Sequence, residues 1–234
     1  MVYSGIALVT GVLCHLPSTW LQQNLVPVLI AGLFMAITLR YAKRDPRGLA
    51  HFGIELGGLF DPPAKATGFF TDLWNLLERA LPRMARSLLV ASALALSVFP
   101  VFALGFYWWV APGRAFAWSG LEGLPSFGLA QLVLIALPEE MLFRGYIQTR
   151  LGDAFPATRR VLGAQMSLPA WLLQALLFAI LHTIATPDPY RLLVFVPGLW
   201  FGWARALFRG IGVSVWLHAM SNIFSMLLIR GFFP

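Results

Sequence analysis

Leu132-Val133-Leu134-Ile135-Ala136-Leu137-Pro138-Glu139-Glu140-Met141-Leu142-Phe143-Arg144 sets two carboxylates and a guanidinium inside an apolar run. The whole run, Phe127–Leu151, is long enough to cross a bilayer core of about 30 Å, which takes about 20 helical residues. Six more such runs occur, at Tyr3–Trp20, Leu25–Tyr41, Ser87–Val110, Leu168–Thr186, Leu192–Leu207 and Ile211–Arg230. Composition agrees, with 59% of the 234 residues hydrophobic and 12% charged, about half the roughly 25% charge of a soluble domain. The expected fold is an all-α, polytopic transmembrane helix bundle of about seven to eight helices, forming a single membrane domain over 1–234.

Outside the apolar runs the charges are sorted. Basic clusters at 40–47, 79–86, 150–160 and 205–209 fall on alternate loops, whereas the loops around 21–24, 112–126 and 187–190 hold only Arg114. Cytoplasmic loops carry the excess of Lys and Arg, which puts the N-terminus in the cytoplasm of what reads as a bacterial cytoplasmic membrane. The first run has no basic stretch before it and no Ala-x-Ala site, so it reads as a retained helix rather than a signal peptide. Between the second and third runs, segment 65–86 alternates apolar and charged residues at helical spacing. It suits an amphipathic helix lying in the interface, or an extension of the third span. The net charge of +7 is accounted for by anionic headgroups; nucleic acid is not expected as a partner, because no basic patch is interleaved with exposed aromatics. Cys14 is the one cysteine, so there is no disulfide framework or Cys-x-x-Cys motif.

An ionisable group inside a span costs at least about 2.5–3.5 kcal/mol on insertion scales. Every Asp keeps out of the apolar runs, but Glu139, Glu140, Arg144, His182 and His218 do not, and Asn222 joins them in the last run. Residues four apart share a helix face, so Glu140 pairs with Arg144 along one helix and His218 lies beside Asn222. Glu139 is turned about 100° away and has no local partner. One buried Glu–Arg pair or one buried His is often a structural contact. Five such groups on three spans, one an acid without a counter-ion, favour function. His15 and His51 read as interfacial, and the tryptophans as interfacial belts.

An acid, two imidazoles and an amide suit peptide hydrolysis by an activated water. Glu139 is the candidate general base, His182 either orients or shares the water or protonates the leaving amine, and His218 and Asn222 face the developing oxyanion. Glu140, held by Arg144, supports them from behind. Rival chemistries fail on sequence: there is no His-Glu-x-x-His, no Gly-x-Ser-x-Gly and no aspartate pair inside a span.

Glu-Glu-x-x-x-Arg (Glu139, Glu140, Arg144), Phe-x-x-x-His (Phe178, His182) and His-x-x-x-Asn (His218, Asn222), in that order, resemble the CAAX-protease and bacteriocin-processing family, also called CPBP or Abi. Pro197-Gly198-Leu199-Trp200-Phe201-Gly202-Trp203-Ala204 resembles it too. The likeness covers about 127–225 and makes 127–230 the expected catalytic core; residues 1–110 carry no motif of the family. It implies a bundle of about eight helices and an endopeptidase in which the first Glu activates water and the second His with Asn forms the oxyanion site. The implied substrates are membrane-anchored proteins or peptides: CAAX-like tails, C-terminal sorting signals or peptide precursors. Zinc is the alternative to a metal-free site, because one Glu and two His make a three-ligand set; no carboxylate stands at the usual spacing behind either His, which favours no cofactor. A second reading is a non-catalytic membrane binding or immunity protein that keeps the fold. A third, a transporter or proton relay, is opposed by the lack of inverted halves and paired broken helices. Oligomeric state is not legible.

Overall fold

Pro17 divides the first apolar run. In the computed structural model, which describes residues 2–60, 68–118, 122–156 and 158–234 (of Phe69 the backbone alone), α1 spans Val2–Cys14 and a short α2 follows at Thr19–Asn24. Proline holds the residue before it away from helix, and Ser18 then starts α2, its Oγ accepting from the Leu21 N–H at 3.3 Å. At 1.5 Å per residue α1 is about 20 Å long, short of a bilayer core. The expected first crossing at Tyr3–Trp20 is therefore corrected to a short helix, tied down by the Tyr3 hydroxyl, which donates to the Leu177 carbonyl at 2.7 Å.

Among the described residues, six helices are long and apolar enough to cross a membrane. They are α3 (Val26–Arg44), α5 (Phe69–Trp109), α6 (Leu124–Ala154), α7 (Leu168–Ala185), α8 (Phe195–Phe208, entered by the 3₁₀ turn Pro189–Val194) and α9 (Gly212–Phe232). One turn, α4 (Gly48–His51), follows α3. The chain is an all-α, multi-pass integral membrane protein.

Residues 65–67 lie outside the described residues. From Phe69 the rest of the amphipathic stretch runs unbroken into the third span as one helix of 41 residues, through Pro82 and Pro100, the extension rather than the separate interfacial helix. Alanines on one face hold it in place. A Cβ on Gly57 would come within 2.7 Å of the Ala80 Cα, while Ala91 and Ala95 pack on Phe201, Ala204, Val213 and Leu217 of α8 and α9.

A small antiparallel hairpin, β1 (Thr158–Val161) and β2 (Ala164–Ser167), joins α6 to α7. Leu162 and Gly163 both have positive φ, which matches the twist a two-residue hairpin needs. Trp203 of α8 fixes the turn by donating to the Val161 carbonyl at 3.2 Å.

At that end of the bundle the charges interlock. Arg47 bonds both Asp45 and Asp153, Arg150 reaches Asp45 at 2.9 Å, and His51 lies 3.3 Å from Asp153. Arg47 holds the Asp45 carboxyl well below the usual carboxylate range. The loop that follows tucks under the start of α9: the Ile211 N–H donates to the Gly53 carbonyl at 3.0 Å, and Phe52, Ile54, Ile211 and Val215 form one buried cluster with Met141. The start of α9 is thereby inside the protein.

Candidate active site

Helix α6 widens to π-helical turns over Gln131–Ala136 and Met141–Ile147, leaving one ordinary turn, Leu137–Glu140, between them. Pro138 has no N–H to donate and its ring crowds the preceding turn; a wider turn relieves that, and π-turns are frequent at functional sites. Successive side chains diverge by about 100°, so Glu139 and Glu140 meet different neighbours.

Glu140 is closed in completely. Its Oε1 accepts from Arg144 Nη1 at 2.8 Å and from His218 Nδ1 at 2.8 Å, and both Glu140 and Arg144 are 0% exposed. Arg144 also donates to the Gly198 carbonyl at 3.3 Å. Its guanidinium lies 4.1 Å above the Phe178 ring and 5.2 Å from that of Phe201, a cation–π setting that is stronger when desolvated. Phe201 in turn stacks on His218, with centroids 5.0 Å apart and planes 17° apart. The i,i+4 pair expected from spacing is present, and its bond to His218, across 78 residues of sequence, is an addition.

Glu139 meets two imidazoles instead. Its Oε2 lies 3.7 Å from His218 Nε2 and 3.8 Å from His182 Nε2. It has no hydrogen-bond partner among the described residues, although it is buried. The partners of the other ring nitrogens settle the tautomers. His218 Nδ1 meets a carboxylate and His182 Nδ1 meets the Phe178 carbonyl at 2.9 Å; both partners are acceptors, so each Nδ1 carries the hydrogen. In the neutral rings both Nε2 atoms then offer lone pairs. Three acceptors therefore converge on one space, at distances too long for direct hydrogen bonds and suited to a water that bridges them.

Asn222 stands apart. Its Nδ2 donates to Gln131 Oε1 at 2.7 Å, which uses one of its two amide hydrogens. Of the six residues singled out in the sequence, Glu139, His182 and His218 meet at one point and Glu140, Arg144 and His218 at another. Asn222 joins through α9 and through Gln131.

Three amides escaped the sequence reading, which weighed ionisable groups inside the spans and passed over glutamine. Besides Gln131, Gln174 donates to the Gly198 carbonyl at 3.1 Å and Gln148 to that of Gly202 at 2.9 Å. Two glycines four apart let α8 approach this closely. A Cβ on Gly202 would collide with Gln174 Nε2, and one on Gly198 would lie 3.3 Å from the Ala175 Cβ.

One argument from spacing fails. A carboxylate does stand behind His218, supplied by Glu140 from another helix, so the missing carboxylate is no reason against zinc. Among the described residues no three His, Cys, Asp or Glu side chains are grouped as metal ligands would be, and zinc stands as the alternative to a metal-free site.

The segment that builds both points of the site also matches a known family. Residues 121–224 match the family of type II CAAX prenyl endopeptidases, Rce1-like. It is the CAAX-protease family that the three motifs resemble. The match covers less than half of the chain, residues 121–224 of 234. The matched segment contains Glu139, Glu140, Arg144, His182, His218 and Asn222. No curated protein and no solved structure matches the chain.

Proposed function

We propose that the protein is an intramembrane endopeptidase of the glutamate type, cutting C-terminal tails, sorting signals or CAAX-like ends of membrane-anchored substrates. The unpartnered Glu139 Oε2, facing two imidazole nitrogens at 3.7 and 3.8 Å, carries this reading. A water there donates to Glu139 and to one Nε2 while its oxygen points at the scissile carbonyl. As the water oxygen attacks the carbonyl carbon, one proton passes to Glu139. The tetrahedral intermediate then collapses, the C–N bond breaks, and that proton leaves with the amine. Asn222, with one amide hydrogen still free beside its bond to Gln131, donates to the oxyanion. His218, first read as an oxyanion donor, acts in its neutral form as an acceptor that positions the water; Glu140 fixes its tautomer.

Substrates reach the site from the lipid. The basic loops favour a cytoplasmic position for segments 40–47, 150–160 and 205–209 in a bacterial cytoplasmic membrane, and with α1 too short to cross, the N-terminus then lies on the opposite face. No metal enters this mechanism.

The test compares the native protein with Glu139→Gln on a library of membrane-tethered peptides, with and without a chelator. Cleavage by the native protein that survives the chelator and falls about 10²–10⁴-fold in the variant, the usual worth of a general base, supports the reading. Reversible loss to the chelator alone replaces the water mechanism by a zinc one. Equal cleavage by both proteins removes Glu139 from the chemistry.

A further inference from the structure

Remote from the glutamates, where the ends of α6 and α8 meet the start of α7, the hairpin closes a cavity of about 700 Å³. Three of the residues that line it are arginines, Arg160, Arg205 and Arg209, and none is an Asp or Glu. The nearby acids are already engaged, Asp45 by Arg47 and Arg150, and Asp153 by Arg47 and His51. Among the described residues none of the three cavity arginines has an ion-pair partner.

Arg205 is the most telling of the three. Its Nε is buried without a hydrogen-bond partner among the described residues, and its Nη2 reaches only the His51 carbonyl, at 3.4 Å. Room for the guanidinium is made by Gly53, where a Cβ would come within 2.8 Å of the Arg205 Cζ. A buried cation without a carboxylate is costly, and the fold excludes a side chain at residue 53 to keep it. Arg209 sits at a left-handed position, φ 56°, where glycine is the unstrained choice. Ser167 and Ala170, at the first turn of the 18-residue α7, also line the cavity, so the positive end of that helix dipole adds to the guanidinium charges.

We infer that this cavity binds a phosphate group, presented by an anionic lipid headgroup at the membrane boundary. Guanidinium forks and a helix N-terminus are the chemistry of phosphate recognition, and the cavity lies at the ends of three spans, where headgroups sit. This site is separate from Glu139 and holds whether or not the proposed peptidase chemistry does.

The test uses the full-length protein, stripped of lipid in a neutral detergent, with native mass spectrometry and thermal unfolding as readouts. Phosphatidylglycerol is expected to bind and to raise the unfolding temperature, and phosphatidylcholine to do neither. Binding of phosphatidylglycerol should weaken about tenfold for each arginine removed in Arg160→Gln and Arg209→Gln, each charge-assisted bond being worth about a factor of ten or more. These two side chains are exposed at the cavity rim, so the variants keep the question answerable even if Arg205→Gln does not fold. Inorganic phosphate that matches the lipid at millimolar concentration supports the anion site and assigns it to a free anion. Equal effects of the two lipids, or an Arg160→Gln/Arg209→Gln variant that binds phosphatidylglycerol like the native protein, would overturn the inference.

Discussion

On one side of α6 the carboxylate of Glu140 has two donors at 2.8 Å and no exposure. On the other, the carboxylate of the preceding residue has no donor to its Oε2 among the described residues and looks across 3.7–3.8 Å at two lone pairs. The two side chains are chemically identical, so the difference lies in what the bundle brings to each. Glu140 receives Arg144 from its own helix, His218 from α9, and a wall of Phe178 and Phe201 that keeps water out. Glu139 receives imidazoles whose other nitrogens are already committed. The closed side holds α6, α7, α8 and α9 in register, and the open side keeps its charge available for a reagent.

The comparison breaks most severely if the closed side is opened. Arg144→Ala leaves Glu140 buried without a counter-ion, and removing one partner of a buried pair costs about 3–5 kcal/mol. Unfolding followed by denaturation in detergent should show that loss, and size-exclusion a poorly folded fraction. Next comes Gly202→Ala. The added methyl collides with the Gln174 amide, and overpacking of this kind costs about 1–3 kcal/mol, with cleavage falling as α8 is pushed from α7. Gln131→Leu sharpens the open side instead. It releases Asn222 from its 2.7 Å bond at about 0.6 kcal/mol of stability, the mean for such bonds in a membrane, and slows cleavage by less than about tenfold while leaving substrate binding unchanged.

The smallest effect lies outside the spans. Arg47 depresses the Asp45 carboxyl in the folded protein, so its stabilising contribution is whole above the unfolded carboxylate range, about pH 4, and fades as the pH falls through the lower folded value. Thermal unfolding measured from neutral pH downward should show a loss in the native protein that is smaller in Asp45→Asn, where Asp153 alone still titrates against Arg47.

These effects follow the line between what the sequence discloses and what it hides. Apolar runs long enough to span a bilayer, and the Glu140–Arg144 pair four residues apart, are local facts and legible. Pro17 was equally visible, yet run length outweighed it, so α1 was read too long. His218 lies only six residues into a helix that starts at Gly212. It is buried against Glu140, Phe178 and Phe201 of three other helices, and no spacing within one helix reports such contacts. The same holds for the bond from Glu140 to His218, which exists only because α6 and α9 pack side by side. Gln131, Gln148 and Gln174 were readable by the rule that singled out the acids, since an amide in a span also needs a partner.

The central claim is that Glu139 does the chemistry and Glu140 holds the site, and Glu139→Gln and Glu140→Gln measured side by side for cleavage and unfolding test it directly. Glu139→Gln should unfold like the native protein, having lost no bond, and cleave about 10²–10⁴-fold more slowly. Glu140→Gln should unfold more readily, with Arg144 left without its carboxylate. A stable Glu140→Gln without cleavage beside a Glu139→Gln that still cuts would contradict that claim and exchange the two roles.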